Sequence, residues 1–230
     1  FEVTRRCRFN CRHCRADADS AVRRDELSTQ QWKRILDAVA AYEKCVVIMT
    51  GGEPTEREDI VELVRHGRDL GLRMVMATCG YAIDDASLAA LKEAGVMALS
   101  FSLDGATAET HDSFRGIDGT FADSMEAAKL VVKHGFRFQV NTTICRNNLH
   151  ELPQILKTVM GMGAWMWYVL FLVPMGRGSN LEPLTPEESR NASLGLVWSG
   201  DNWLLTADWY RIQVEDRIAR STDFTLTEED

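Results

Sequence analysis

Between residues 71 and 164 a glycine repeatedly closes a helical stretch, and an apolar strand starts at the next residue. Gly71 leads into Leu72–Ala77, Gly95 into Val96–Leu103, Gly135 into Phe136–Ile144 and Gly163 into Ala164–Val173. A glycine just past a helix suits the left-handed cap, which costs other residues steric strain. The intervening helices read as Asp85–Ala94, Phe121–His134 and roughly Pro153–Met162, where Pro153 fits a first turn. The same rhythm extends upstream. Residues 1–5 read as a short strand, and Ser28 with Gln31 forms a capping box ahead of Trp32, Ile35, Leu36 and Val39 at helical spacing. Val46–Met49 suits a buried parallel strand, and Ile60, Leu63 and Val64 mark the next helix.

Strand–helix units in series imply an α/β fold whose parallel strands are joined by right-handed crossovers. The preferred form is a partial (β/α)6 barrel of the TIM-like kind, over residues 1–188. A flat doubly wound sheet is the alternative. The helical period lapses over residues 191–202, directly after an apparent helix start at Leu184–Glu188. A break in the chain trace after about Arg190 is therefore expected. Residues 189–230 read as a helical or irregular segment, with Trp209, Ile212 and residues 214–218 as a last helix. The chain opens without a methionine inside an apparent strand, so residues are expected to precede Phe1.

Parallel α/β folds carry their sites at the carboxyl ends of the strands. Polar residues gather at those ends here. The first strand runs into Cys7, Cys11 and Cys14, and the second into Thr50–Pro54. Thr78-Cys79-Gly80 follows the third, Ser102 and Asp104 the fourth, Asn141–Thr143 lie on the fifth, and Met175-Gly176-Arg177 ends the sixth. So many polar strand ends point to one shared site.

The six cysteines lie at 7, 11, 14, 45, 79 and 145. They are too few and too unevenly spaced for a disulfide framework. Three within one short Arg-rich loop suggest metal binding in a reducing compartment, which places the protein in the cytoplasm. Thiolates select zinc or iron–sulfur. Three of them leave one position of a four-site centre for another ligand. Zinc held by these cysteines and His13 is the rival, though adjacent ligands from one loop suit a tetrahedron poorly.

Cys7-x3-Cys11-x2-Cys14 after a first strand resembles the signature of the radical S-adenosylmethionine (SAM) superfamily, and Gly51-Gly52-Glu53-Pro54 resembles its second hallmark. The resemblance implies that the three cysteines ligate a [4Fe-4S] cluster whose remaining iron chelates the methionine part of SAM. Reductive cleavage of SAM would then yield a 5′-deoxyadenosyl radical that abstracts a substrate hydrogen. The glycines allow close backbone approach to a ligand. Glu53 would accept from the SAM ammonium. By the same resemblance His13 lies beside adenine, Ser102 and Asp104 hold ribose or carboxylate, Arg115 reaches the SAM carboxylate, and Asn141 with Thr143 contacts SAM. For each of these a plain structural role stays open: a turn at Asp104-Gly105, a surface arginine, barrel filling. Cys45 reads as core, and Cys79 and Cys145, at or just past strand ends, are minor candidates for facing substrate.

The wording around the motifs is similar to the SPASM/twitch-type branch that includes the haem and haem d1 biosynthesis enzymes. It lies in Phe1–Arg6, Arg12–Ala16, Arg73–Gly80, Ser102–Arg115 and Phe171–Gly178. Side-chain trimming of an iron tetrapyrrole is the expected chemistry. Radical SAM maturases of ribosomal peptides are the alternative, and a non-catalytic zinc domain is a further one. An electron donor such as ferredoxin or flavodoxin is implied. The branch carries a cysteine-rich C-terminal extension, whereas no cysteine follows Cys145 here.

The net charge of -8 argues against a nucleic-acid partner, and no apolar run is long enough to cross a bilayer. Against that acidic background Arg5, Arg6, Arg8, Arg12 and Arg15 crowd the start, with Arg177 at the sixth strand end. They predict a basic mouth suited to an acidic small molecule or peptide.

Overall fold

The computed structural model describes residues 1–21, 25–81, 83–184, 188–200 and 203–215. It divides into two units, Phe1–Pro183 and Leu184–Asp230.

The first unit alternates strand and helix. Its strands are β1 (Glu2–Thr4), β2 (Val46–Gly51), β3 (Arg73–Ala77), β4 (Ala98–Ser102), β5 (Arg137–Ile144) and β6 (Met166–Phe171). The main helices are α1 (Thr29–Tyr42), α2 (Ile60–Asp69), α3 (Asp85–Ala94), α4 (Ala108–Arg115), α5 (Thr120–Lys133) and α6 (Leu152–Met162). Local chemistry fixes their ends. Ser28 and Gln31 exchange the reciprocal capping bonds read from sequence, and Asp84 with Ser87 does the same for α3. Gly95 and Gly163 close α3 and α6 at φ 106° and 77°, a region that penalises any residue with a Cβ. Helix α4 escapes the sequence pattern because it is short and mostly polar; Thr107 starts it by accepting from the Thr110 amide.

Neighbouring strands pair parallel, in the order β1-β2-β3-β4-β5-β6. A doubly wound sheet reverses order at a switch point. This one does not, so the flat alternative falls and the partial barrel stands. It is open, because no pairing joins β1 to β6 among the described residues.

The core lies between the sheet and the helices. Met74 and Met76 of β3, with Phe138 and Val140 of β5, bury one strand face against Leu63, Leu88 and Ile155. Each such side chain removed from water contributes about 1.5–3 kcal/mol. The other face alternates out of that core. On β5 Gln139, Asn141 and Thr143 are half-buried, while Phe138, Val140, Thr142 and Ile144 are buried. The half-buried row faces the concave side, which leaves room for a ligand.

The second unit corrects the sequence reading. Glu188–Gly200 (β7) and Trp203–Glu215 (β8) form an antiparallel hairpin, not a helix or a chain break. Its period is two. In register, Ala192, Leu194, Leu196 and Trp198 of β7 pair with Arg211, Trp209, Ala207 and Leu205 of β8. A search at helical spacing passes over that alternation. Residues 216–218 of the expected helix lie outside the described residues.

Candidate active site

The carboxyl ends of the strands surround a cavity of about 440 Å3. Cys7, Cys11 and Cys14 line it, opposite Gly51 and Gly52. His13, Ser102, Arg115, Asn141 and Thr143 line it as well. The sequence-derived set is therefore brought together, with Glu53 and Asp104 placed just behind as buried supports.

The cysteine loop follows β1 and has little regular structure. Its thiols are buried or half-buried and pack with Phe9, Ala18 and Cys79. Backbone amides already point at two of them: Phe9 N donates to Cys7 Sγ at 3.4 Å and Ala18 N to Cys14 Sγ at 3.3 Å. Burial, reinforced by Cys11, Glu53 and Cys14, pushes the Cys7 thiol up to about 11. A bound cation is what would favour its thiolate. Among the described residues no three Cys, His, Asp or Glu side chains converge on a single-ion site. Three thiols around one cavity suit a multi-iron cluster. His13 also turns away from the thiols. Its ring stacks on Phe114 at 5.1 Å and its Nε2 lies 3.6 Å from Asp104, so a zinc tetrad that includes His13 loses its fourth ligand.

Gly51 and Gly52 cross β1 at close quarters. A Cβ on Gly51 would meet Thr4 O at 2.2 Å, and one on Gly52 would meet Arg6 O at 2.3 Å. Real Cβ atoms do not approach so closely, so both positions demand glycine. Their bare backbone forms the wall opposite the thiols.

Glu53 is fully buried. Its carboxylate accepts from the Thr78 hydroxyl at 2.9 Å and the Cys79 amide at 2.7 Å, and from the Thr55 amide and hydroxyl at 3.1 and 2.7 Å. It therefore braces the end of β2 against the end of β3. Thr78, read from sequence only as part of a polar strand end, supplies half of that bridge.

Asp104 anchors a second buried network. Arg115 Nη2 lies 2.6 Å from its Oδ2, and the Thr143 amide donates to Oδ1 at 2.7 Å. The Asn148 side chain donates to Asp104 O and Thr143 O, both at 2.9 Å, and the Asp104 amide donates to His111 Nδ1 at 3.1 Å. Burial opposes the Asp104 charge, but Arg115 above all outweighs it and holds the carboxyl below its ordinary value. Burial lowers His13 and His111 to about 4, so both rings are neutral at pH 7. Arg115 also donates to Cys11 Sγ at 3.6 Å, which sets a buried cation beside the thiol set. It is neither a surface arginine nor freely available: its charge is already shared between Asp104 and Cys11. The Asp104-Gly105 turn is likewise no plain surface turn. His111 and Asn148 were not legible because nothing local marks them.

The basic mouth is corrected. Arg6 and Arg8 both face Glu56, Arg15 pairs with Glu2, and Arg177 pairs with Asp17 at 3.0 Å. Arg5 donates to Ala16 O. Part of the arginine charge is offset within the protein, because Glu56, Glu2 and Asp17 fold back onto Arg6, Arg8, Arg15 and Arg177. Cys79 lines the cavity, whereas Cys145 is buried beside Phe114, Leu172 and Leu181 and does not. Cys45 packs against the main core as expected.

Comparison with known proteins agrees with this geometry. Residues 1–159 match the model of the radical SAM superfamily. Residues 155–228 match a TonB dependent receptor-like β-barrel model, a stretch that contains the β7–β8 hairpin. The AdoMet-dependent heme synthase of Methanosarcina barkeri (strain Fusaro / DSM 804) is 41% identical over 188 residues, which is 82% of this chain and 54% of that protein. The PqqA peptide cyclase of Rhodopseudomonas palustris (strain ATCC BAA-98 / CGA009) is 34% identical over 164 residues, 71% of this chain and 44% of that one. Streptococcus suis SuiB bound to S-adenosylmethionine superposes with a TM-score of 0.63 at 17% identity, covering 72% of this chain and 38% of that one. The chain thus spans about half the length of the curated relatives it matches. With six parallel strands in sequential order, three thiols at one end and a family model over most of its length, the chain belongs to the radical SAM superfamily.

Proposed function

We propose that Cys7, Cys11 and Cys14 hold a [4Fe-4S] cluster and that SAM occupies the adjoining cavity, for radical modification of an iron tetrapyrrole's side chains. The observation that carries this reading is the single cavity shared by three buried thiols, the Gly51-Gly52 wall and the Arg115 cation beside Cys11. When bound, the cluster supplies the electron for reductive cleavage of SAM. The chain's own residues do the rest. Gly51 and Gly52 present bare backbone to the methionine part of SAM. Glu53 keeps that wall in place from just behind it. Asn141, Thr143 and Ser102 offer neutral hydrogen-bond partners along the cavity floor. The His13 ring, neutral and stacked on Phe114, offers a flat neighbour for adenine. Asp104 holds Arg115 in place and offsets its charge in the site.

The tetrapyrrole substrate is favoured by the heme synthase likeness. A ribosomal peptide is the second reading, favoured by the peptide cyclase likeness. A small reducing protein of the ferredoxin or flavodoxin kind would supply electrons. Cysteine usage supports a reducing compartment, and no described helix is long and apolar enough to cross a membrane. The first unit carries the SAM chemistry in this reading. The second unit contains no cysteine.

The test is anaerobic reconstitution of the full chain. Iron and sulfide in equal amounts, with visible absorption bleached by dithionite, support the cluster. Formation of 5′-deoxyadenosine with an iron tetrapyrrole, and mass loss from its carboxylate arms, support the substrate. A colourless protein that retains zinc would refute the reading.

A further inference from the structure

The open barrel raises a mechanical problem. Main-chain pairing does not join β1 to β6 among the described residues, yet the cysteine loop hangs from β1. Besides the amide contacts to Cys7 and Cys14 Sγ, the loop's own backbone bonds are Cys14 N to Cys11 O at 3.2 Å, Asp17 N to Cys14 O at 3.4 Å, Cys7 N to Asp19 O at 2.7 Å and Asp19 N to Arg5 O at 3.3 Å. Something outside it must hold its shape.

The segment after β6 does so. Arg177 N donates to Cys14 O at 3.0 Å, and Arg177 Nε donates to Cys11 O at 2.9 Å. Its Nη1 donates to Ala18 O at 2.8 Å and pairs with Asp17 at 3.0 Å. One residue thus gathers three carbonyls and a carboxylate from across the cysteine loop. Gly176 permits the approach. Its φ is +54°, and a Cβ there would meet Cys14 O at 2.5 Å and Arg15 O at 2.6 Å. Ala18, gripped through its carbonyl, is the residue whose amide points at Cys14 Sγ.

We infer that Arg177 is a positioning residue: it straps the open seam of the barrel and sets the geometry of the Cys11–Cys14 turn from the opposite edge of the sheet. This rests on the reading that the three cysteines hold the cluster. Its Nε and Nη1 are committed to the loop, and Nη2, buried without a partner beside the cavity, is what the side chain has left for a ligand.

The test compares the full chain with Arg177→Ala, Arg177→Lys and Gly176→Ala. Hydrogen exchange of residues 7–18 and of strands β3 and β4 is followed in metal-free protein, and iron release to a chelator is followed after reconstitution. Arg177→Ala is expected to speed exchange of 7–18 and iron release about tenfold or more, as the loss of several hydrogen bonds implies. The strands should keep the native rate. Arg177→Lys should restore part of the protection, because one ammonium reaches fewer acceptors than a planar fork. Gly176→Ala should copy Arg177→Ala without touching the arginine. Native exchange in 7–18 with a raised substrate KM would overturn the inference in favour of substrate binding. Equal acceleration in loop and strands would overturn it in favour of general stability. If the native chain takes up no iron yet the contrast between loop and strands holds, the cluster reading fails and the strap stands.

Discussion

Removing the Glu53 carboxylate should damage the barrel mouth and not only its ligand. Glu53→Ala leaves the Thr78 hydroxyl and the Cys79 amide without their acceptor at a site where Glu53 itself is fully buried. The two Thr55 bonds are local and nearer the surface, so water can replace them. Each charge-assisted bond across the strand ends contributes about 1.5–3 kcal/mol, and an orphaned buried donor costs about 1–3 kcal/mol. Relief of a buried charge offsets several kcal/mol of that sum. The net loss should be about 2–4 kcal/mol. For a domain of this size that lowers the melting temperature by roughly 5–15 °C. Glu53→Gln keeps one acceptor for Thr78 but turns an amide donor toward the Cys79 N–H, so it should fall between. Urea unfolding of the metal-free chain, followed by circular dichroism, gives the midpoints. SAM affinity of cluster-replete protein, by calorimetry, should fall roughly ten- to hundred-fold in Glu53→Ala. Unchanged unfolding midpoints in both variants would refute the bracing role, whatever happens to SAM.

Other outcomes follow from the same contacts. Cys11→Ala should abolish iron uptake on reconstitution and leave the far-ultraviolet spectrum native, since the core is built by other residues; iron analysis with circular dichroism checks both. Gly52→Ala should push the backbone at Arg6, just after β1, away from the end of β2 and cost both stability and SAM binding, read by thermal unfolding and SAM titration. His111 carries a pH signature. Its folded value is about 4 against 6.5 for an ordinary histidine, so the unfolded chain binds the proton first as pH falls. Its contribution is complete above pH 6.5 and declines by roughly 3 kcal/mol on descent to pH 4. His111→Asn, which keeps an acceptor for the Asp104 amide, should flatten the unfolding free energy across that window relative to the native chain. Equal slopes for the two proteins would remove His111 as the cause.

The strand–helix rhythm was legible because it is local chemistry. Caps, glycines and apolar spacing act within a few residues, and they placed α1, α3, α6 and the order of strands. The thiol set and the Gly51-Gly52 pair were legible because each is a short local motif that resembles a radical SAM signature. Helix α4 was not, because a short polar helix lacks an apolar stripe, and the β7–β8 hairpin was not, because its alternation has the wrong period for a helical search. The electrostatics were decided only by the fold. Sequence shows a run of arginines; tertiary structure brings Glu2, Glu56 and Asp17 against them and offsets part of the expected basic mouth. Sequence shows Asp104, His111, Arg115 and Asn148 as separate residues; only the crossover from β4 through α4 and α5 to β5 makes them one buried network. Arg177 is the limiting case. Its partners lie some 160 residues away along the chain. No pattern of nearby residues encodes that meeting, which exists because an open parallel sheet carries its last strand around to the side of its first.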